Sequence, residues 1–161
     1  MHPRAAELVA TLELLPHPEG GYYRQIYKSV SSVDPQDERP VRSALTTIYF
    51  LLPAGQVSCW HTVASDEVWH YDEGAPLELL VADASFSTLQ THRLGAVGPD
   101  LAPVHVVAAH EWQAARSTGE YTLVGCTVGP GFDFADFRML RDRPSDADAI
   151  RARWPHLSQF V

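Results

Sequence analysis

The sequence is poor in cysteine and in clustered positive charge. Cys59 and Cys126 are the only cysteines among 161 residues. Two are too few to staple a domain of this size, so we expect small buried thiols, although the sequence leaves their pairing open. Twelve basic side chains face twenty acidic ones, the formal net charge is −8, and no two basic residues are adjacent. A nucleic-acid partner is therefore not expected, because phosphate binding needs a basic stripe.

Long apolar runs are also missing. No stretch approaches the roughly 20 residues that a membrane-spanning helix requires. The longest candidate, Ala44 to Leu52, is interrupted by Thr46 and Thr47 and is more typical of a strand. The start of the sequence lacks the charged-then-apolar layout of an export signal. We therefore expect a cytoplasmic protein with no membrane partner.

What is present suits a single domain over residues 1–161, since 45% of the residues are apolar and 10% are aromatic. Apolar residues at three- and four-residue steps predict a helix over residues 3–15, ending before Pro16. A turn-rich segment over residues 16–21 then precedes a strand from Tyr22 to Val30. Further short strand-like runs predict an antiparallel sandwich or barrel. Residues 146–154 predict a short helix. The remaining predicted strands cover residues 43–52, 56–63, 67–71, 77–83, 86–94, 104–109, 113–116 and 121–128.

Four residues in the middle of the chain form a spaced motif. Gly55, His61, Glu67 and Gly74 follow the pattern Gly-x5-His-x5-Glu-x6-Gly. This pattern resembles the first motif of the cupin superfamily, with Val63 in place of a second histidine. The second cupin motif is degraded here: Ala108 falls at its proline, His110 at its glycine and Gln113 at its final histidine.

Flanking blocks sharpen the resemblance. Residues 15–23, 66–70 and 123–132 are similar to the fingerprint of one small, single-domain, largely uncharacterised cupin branch labelled predicted sugar epimerases. The resemblance implies an all-β double-stranded β-helix, a jelly-roll barrel like that of RmlC, with a helix at each end of the chain. It also implies a homodimer that pairs through the segment around Tyr22 to Val30, which would cover an exposed sheet edge.

Strand alternation predicts which side chains enter the barrel. Cys59, His61 and Val63 share one face of their strand, and Glu67, Trp69 and Tyr71 share one face of the next. If His61 points inward, as the cupin pattern implies, then Val63 does too. His70 points outward and is a poor replacement for the missing histidine.

In many cupins the residues of the two motifs bind a metal ion. The resemblance therefore implies a metal site here, but the set of ligands is incomplete. The corresponding residues are His61, Glu67 and Gln113, which could hold a divalent metal with waters in the open positions. A carboxamide is a weak ligand for zinc or iron. We therefore expect no cofactor, with a divalent metal as the alternative.

Without a metal, His61 and Glu67 form a candidate acid/base pair, because an imidazole titrates near neutral pH. The resemblance implies an isomerase or epimerase of a small polar, sugar-like molecule, with His61 as base and a tyrosine as acid. Tyr71 is the tyrosine we assign, and Tyr49 and Tyr23 are open alternatives. A non-catalytic binding protein and a metal-dependent cupin enzyme also remain open, so the sequence does not decide whether the protein is an enzyme. The predicted substrate-binding residues are Arg24, Cys59, Trp69 and Gln113.

Two turn segments receive structural rather than chemical interpretations. His17 lies between two prolines, which favours a structural role in the turn. Gly129-Pro130-Gly131 is not a phosphate loop, because no helix beginning with Lys-Ser or Lys-Thr follows it.

Overall fold

The computed structural model describes all 161 residues, and strands dominate it. Helix α1 spans Pro3–Thr11, α2 spans Pro144–Arg153, and short 3-10 turns cover Phe134–Asp136, Leu140–Asp142 and Pro155–Phe160. The strands are β1 Leu15–Pro16, β2 Tyr22–Lys28, β3 Ser32–Val33, β4 Arg42–Ser43, β5 Thr46–Pro53, β6 Val57–Val63, β7 Asp66–Gly74, β8 Leu77–Ala82, β9 Leu89–Leu94, β10 Val104–Val107, β11 Trp112–Ser117, β12 Tyr121–Gly129 and β13 Phe137–Met139.

Eleven of the thirteen strands form two facing antiparallel sheets, and β3 and β4 pair separately. One sheet has six strands in the order β1-β2-β5-β12-β7-β10, and the other has five in the order β13-β6-β11-β8-β9. Except for β1–β2 and β8–β9, neighbours in these sheets are not consecutive in sequence, as in a jelly roll. The predicted all-β double-stranded β-helix with a helix at each end is confirmed.

The predicted helix over residues 3–15 was four residues too long. Helix α1 ends at Thr11, and Glu13 adopts a positive φ of 53° that continues no helix. His2 starts the helix, since its Nδ1 accepts a hydrogen bond from the Arg4 amide at 3.2 Å. Past this break Leu14 is buried in the same apolar cluster as the helix, whereas Leu15, the last residue of the predicted pattern, is exposed on β1.

The core is divided by the sheets. One apolar cluster fills the space between them and includes Phe50, Trp69 and Leu79. A second, built on Trp60 and Trp112, lies on the outer face of the five-stranded sheet under α2. Strand β8 is therefore covered on both faces, which explains its nearly continuous apolar sequence. No helix is long and apolar enough to cross a membrane.

Candidate functional site

A cavity of about 210 Å³ opens at one end of the barrel. Its walls come from both sheets, from the turn between β1 and β2, and from the segment between β12 and β13. Ten of its sixteen lining residues are hydrophobic. The lining residues are His17, Glu19, Tyr23, Gln25, Thr46, Ile48, Phe50, His61, Val63, Glu67, Trp69, Cys126, Val128, Phe132, Phe134 and Phe137.

Two glycines allow the β1–β2 turn to fold across the barrel end. Gly20 and Gly21 have φ values of 111° and 69°. A Cβ on Gly20 would lie 2.0 Å from the carbonyl oxygen of Val57 on β6, so only glycine fits this close approach. The Cys59 amide also donates to the Glu19 carbonyl oxygen at 2.8 Å. These contacts bring the turn against β6 and carry the Glu19 side chain inside.

Glu19 is buried at the meeting point of two imidazoles. Its Oε2 lies 3.3 Å from Nε2 of His61 and 3.4 Å from Nδ1 of His17. Its other oxygen, Oε1, accepts a 2.7 Å hydrogen bond from the Ser58 hydroxyl. One carboxyl group therefore connects His17 of the turn with His61 of strand β6.

The hydrogen bonds fix the tautomers of both imidazoles. Nδ1 of His61 lies 2.8 Å from the Cys59 carbonyl oxygen, which can only accept, so Nδ1 carries the proton and Nε2 has a free lone pair. Nδ1 of His17 accepts from the Glu19 amide at 3.3 Å and is also unprotonated. An ionised Glu19 would therefore face two nitrogen lone pairs. A protonated Glu19 can donate to one of them.

Burial shifts the pKa values of these groups so that the same protonation states are favoured. Desolvation raises the pKa of Glu19 from 4.5 to about 8, against the opposing effect of the Ser58 hydrogen bond. Desolvation also lowers the pKa of His17 to about 3, with His61 contributing, and lowers the pKa of His61. At neutral pH the cluster is therefore a protonated carboxylic acid beside two neutral imidazoles.

A second buried carboxyl group, Glu67, lies on β7. Its Oε2 accepts a 2.6 Å hydrogen bond from Nε2 of Gln113, whose Oε1 accepts from the Trp69 indole at 2.9 Å. Burial raises the pKa of Glu67, while His61 and the hydrogen bonds from Gln113 and Cys126 oppose that rise. Glu67 is thus held by a chain of side-chain contacts across the two sheets.

Three phenylalanines close the outer side of the cavity: Phe132, Phe134 and Phe137. The segment that carries them is anchored by Asp136, which accepts two hydrogen bonds from Arg42 at 2.8 and 2.9 Å. The phenylalanine rings pack edge-to-face, with centroids 5.0 to 6.0 Å apart. The outer wall is therefore aromatic and is tied to the β3–β4 hairpin.

The structure brings three of the predicted site residues together. His61, Glu67 and Trp69 all line the cavity with Val63, as strand alternation predicts. His70 is exposed on the opposite face of β7, as predicted.

The other predicted site residues lie elsewhere. Arg24 is exposed and pairs with Glu13 at 2.6 Å, on the outer side of β2. Tyr71 donates its hydroxyl to the Gly74 carbonyl oxygen at 2.6 Å, so the tyrosine that lines the cavity is Tyr23, one of the two alternatives. Cys59 contributes its carbonyl group rather than its thiol, and its side chain is absent from the cavity wall. The pairing of β6 with β11 shifts register between Ser58 and His61, and this β-bulge breaks the alternation on which the prediction depended.

The predicted metal ligands do not fit a metal. Gln113 lies behind Glu67 rather than on the cavity wall, and both ends of its amide are engaged by Trp69 and Glu67. Turning its oxygen to a metal would leave the buried Trp69 indole without an acceptor. Of the predicted set, His61 and Glu67 then remain as two ligands. His17 and Glu19 lie beside them, but no group of three His, Cys, Asp or Glu side chains is arranged to hold a metal ion.

Sequence reasoning missed His17 and Glu19 as site residues. Both lie in segment 15–23, which carries the family resemblance. They come just before a glycine pair and outside the predicted strands, so strand alternation could not place their side chains. The available signal was Gly20-Gly21 itself, since adjacent glycines permit a turn to approach another backbone closely. The direction of the turn depends on contacts with β6 that are distant in sequence.

The chain belongs to the cupin superfamily: residues 6–140 match the family described as Cupin superfamily (DUF985). It is similar to a protein from Shewanella oneidensis, with 31% identity over 96% of this chain and 92% of that one and a TM-score of 0.81. It is also similar to a hypothetical protein from Leishmania major, with 30% identity over 97% and 96% of the two chains and a TM-score of 0.83.

More distant likeness extends to KdgF from a Halomonas species, with 13% identity over 76% of this chain and 91% of that one and a TM-score of 0.54. At this identity the likeness shows the fold alone. No curated protein matches the sequence.

Proposed function

We propose that the protein is an isomerase that moves a proton within a small molecule held in the barrel, with His61 as base and Glu19 as acid. The observation that carries this proposal is the 3.3 Å contact between Nε2 of His61 and Oε2 of Glu19. Burial pushes the pKa of the imidazole down and that of the carboxyl group up. Opposite shifts in adjacent groups prepare one as acceptor and the other as donor near neutral pH.

The proton transfers balance without a cofactor. Nε2 of His61 takes a proton from the carbon next to a substrate carbonyl, and the electrons of that C–H bond form a C=C bond. The carbonyl oxygen takes the Glu19 proton, so the product of this step is a neutral enol beside an imidazolium–carboxylate pair. Transfer of the proton from Nε2 of His61 to Oε2 of Glu19, 3.3 Å away, then restores both groups and leaves the enol tautomer as product; the reverse sequence converts an enol into its ketone.

The arrangement of the groups favours tautomerisation over epimerisation. Nε2 of His61 and Nδ1 of His17 both approach the same oxygen of Glu19, so these groups act from one end of the cavity. Inversion at carbon requires proton delivery from the opposite face. A keto–enol interconversion or a double-bond shift requires one face only. We therefore propose a tautomerase in place of the sugar epimerase that the family resemblance implies.

The proposal can be tested by proton exchange. Phenylacetone is a neutral ketone with acidic protons beside its carbonyl, and NMR in D2O follows their replacement by deuterium. The protein is expected to accelerate this exchange, and His61→Gln should reduce the acceleration by about 100-fold or more. His70→Gln is the matched control, because His70 is exposed on the next strand. Equal rates for His61→Gln and the wild type would reject His61 as the base.

A non-catalytic binding protein is the second candidate, and the mainly apolar lining supports it. Apolar walls bind a ligand whether or not chemistry follows. Saturable binding of phenylacetone by calorimetry, without faster exchange, would favour this candidate over the isomerase.

We also propose a homodimer formed through β2. Strand β1 pairs only with Tyr22 and Tyr23, which leaves the edge from Arg24 to Lys28 without a neighbour. Ile26 and Tyr27 are 46% and 52% exposed along that edge. An open edge with apolar side chains favours strand pairing. Light scattering should give twice the mass of the chain, and a monomer mass would contradict the proposal.

A further inference from the structure

We propose that the substrate is a neutral, largely apolar molecule of about the size of one substituted aromatic ring, carrying a single carbonyl group. This inference rests on the proposed function for the carbonyl group, whereas the neutral and apolar character follows from the cavity walls. Three properties of the cavity carry it: its charge, the placement of its polar atoms and its size.

The cavity offers no positive charge. None of the sixteen lining residues is Lys or Arg. Nearby arginines are engaged elsewhere: Arg42 binds Asp136, Arg24 binds Glu13, and Arg141 donates to the Pro18 carbonyl oxygen at 2.9 Å. Both cavity acids, Glu19 and Glu67, would repel an anion once ionised. A carboxylate or phosphate buried here would therefore lack a compensating partner, at a cost of several kcal/mol.

The polar atoms available to a ligand are concentrated at one end. His17, Glu19, His61 and Glu67 meet there, while Thr46 is already bonded to the Phe132 amide at 3.0 Å. The rest of the wall is mainly aromatic and aliphatic, with the Tyr23 hydroxyl and the Gln25 amide as its other polar groups. A sugar carries several hydroxyl groups, and most of them would be buried against these walls without hydrogen-bond partners. One carbonyl group, by contrast, finds the Glu19 acid.

The size sets an upper limit. Ligand pockets for drug-sized molecules span about 300–1,000 Å³, and this cavity of about 210 Å³ is smaller. An apolar cavity of about 150 Å³ holds benzene. One ring with a short substituent therefore fits inside, and most of a nucleotide-linked substrate would have to lie outside the cavity. The aromatic rings of Phe50, Trp69 and Phe137 suit such a ring.

Calorimetric binding of matched probes tests this inference. Phenylacetone and phenylacetate share a ring and differ in charge, and glucose supplies hydroxyl groups. At about pH 6 we expect phenylacetone to bind at least about tenfold more tightly than either of the others. Equal or tighter binding of phenylacetate or glucose, or no binding of phenylacetone, would overturn the inference.

A variant at the cavity mouth adds a second measurement. Gln25 lines the mouth and is exposed, so Gln25→Lys adds a cation without burying it. We expect it to improve the binding of phenylacetate relative to that of phenylacetone by about threefold or more. Gln90→Lys, at an exposed position away from the cavity, should leave this ratio as it is in the wild type. An unchanged ratio in Gln25→Lys would count against the charge argument.

The two proposals fail in different ways. Selective phenylacetone binding without deuterium exchange rejects proton transfer and keeps the ligand class. Catalysed exchange of a sugar or a carboxylate keeps proton transfer and rejects the ligand class.

Discussion

Glu19 and Glu67 are both buried at the same end of the barrel, yet their surroundings differ. Glu67 lies on a strand and is held by Gln113 within a chain that continues to Trp69. Glu19 lies on a turn, and its Oε2 faces two imidazole nitrogens instead of a donor. The first carboxyl group is a fixed part of the wall, and the second is placed to exchange a proton.

The carboxyl group of the sequence motif need not be the carboxyl group that takes part in proton transfer. Glu67 belongs to the spaced motif, but its carboxyl group already accepts hydrogen bonds from Gln113 and Cys126. Glu19 belongs to no strand pattern, but its proton is the one that a ligand can reach beside His61. We therefore expect a substitution of Glu19 to reduce catalysis, and a substitution of the side chain that holds Glu67 to reduce mainly stability and binding.

The largest effect is expected for Glu19→Gln. The amide cannot deliver an acidic proton, so phenylacetone exchange should fall by about 100-fold while the side chain keeps its size. Exchange is measured by NMR in D2O at saturating ketone. Glu120→Gln, at an exposed position, is the matched control. A Glu19→Gln variant with wild-type exchange would remove the acid from the mechanism.

The pH dependence of stability should report both shifted groups. For Glu19, whose pKa is raised to about 8, the unfolded chain loses its proton above about pH 4.5 while the folded protein keeps it. Stability therefore falls as pH rises between these values, by about 1.4 kcal/mol per pKa unit and several kcal/mol in all. For His17, whose pKa is lowered to about 3, stability falls as pH drops from 6.5 towards 3.

Urea unfolding at a series of pH values measures these slopes. Glu19→Gln should reduce the alkaline loss to the part that Glu67 contributes and should retain the acid loss. His17→Gln should reduce the acid loss to the part that His61 contributes and should retain the alkaline loss. Glu120→Gln should match the wild type. An alkaline loss in Glu19→Gln as large as that of the wild type would show that Glu19 does not cause it.

A smaller effect, mainly on stability and binding, is expected for Gln113→Leu. The change leaves the Trp69 indole and an oxygen of Glu67 without partners, at about 1–3 kcal/mol for each buried group. We expect a lower urea midpoint and a higher KM for phenylacetone exchange, with kcat reduced less than in Glu19→Gln. Gln90→Leu, on an exposed strand position, controls for the loss of an amide. A kcat loss equal to that of Glu19→Gln would place Gln113 in the chemistry.

The fold could be predicted because its signals are local. Alternation along β6 and β7 placed His61, Glu67 and Trp69 inside and His70 outside, and the structure agrees. Strand β13 was missed because its three residues are too few to show a period.

Half of the candidate site could not be predicted because its position is set by tertiary contacts. His17 and Glu19 enter the barrel only because Gly20 packs against β6 and the Glu19 carbonyl oxygen accepts from Cys59. Alternation placed Cys59 inside, but a β-bulge between Ser58 and His61 breaks the alternation, and the thiol does not line the cavity. The hydrogen bond from the Trp69 indole to the Gln113 side chain likewise joins residues that are 44 positions apart in the sequence.

The most direct test is the titration of Glu19 itself. Carbon-13 NMR of labelled glutamate side chains follows the carboxyl shift, and Glu19→Gln identifies the Glu19 signal. We predict a midpoint near pH 8 for Glu19, well above the ordinary range of a glutamate side chain near 4.3. A Glu19 midpoint in that ordinary range would mean an ionised carboxylate at neutral pH, and it would contradict the acid role on which the mechanism depends.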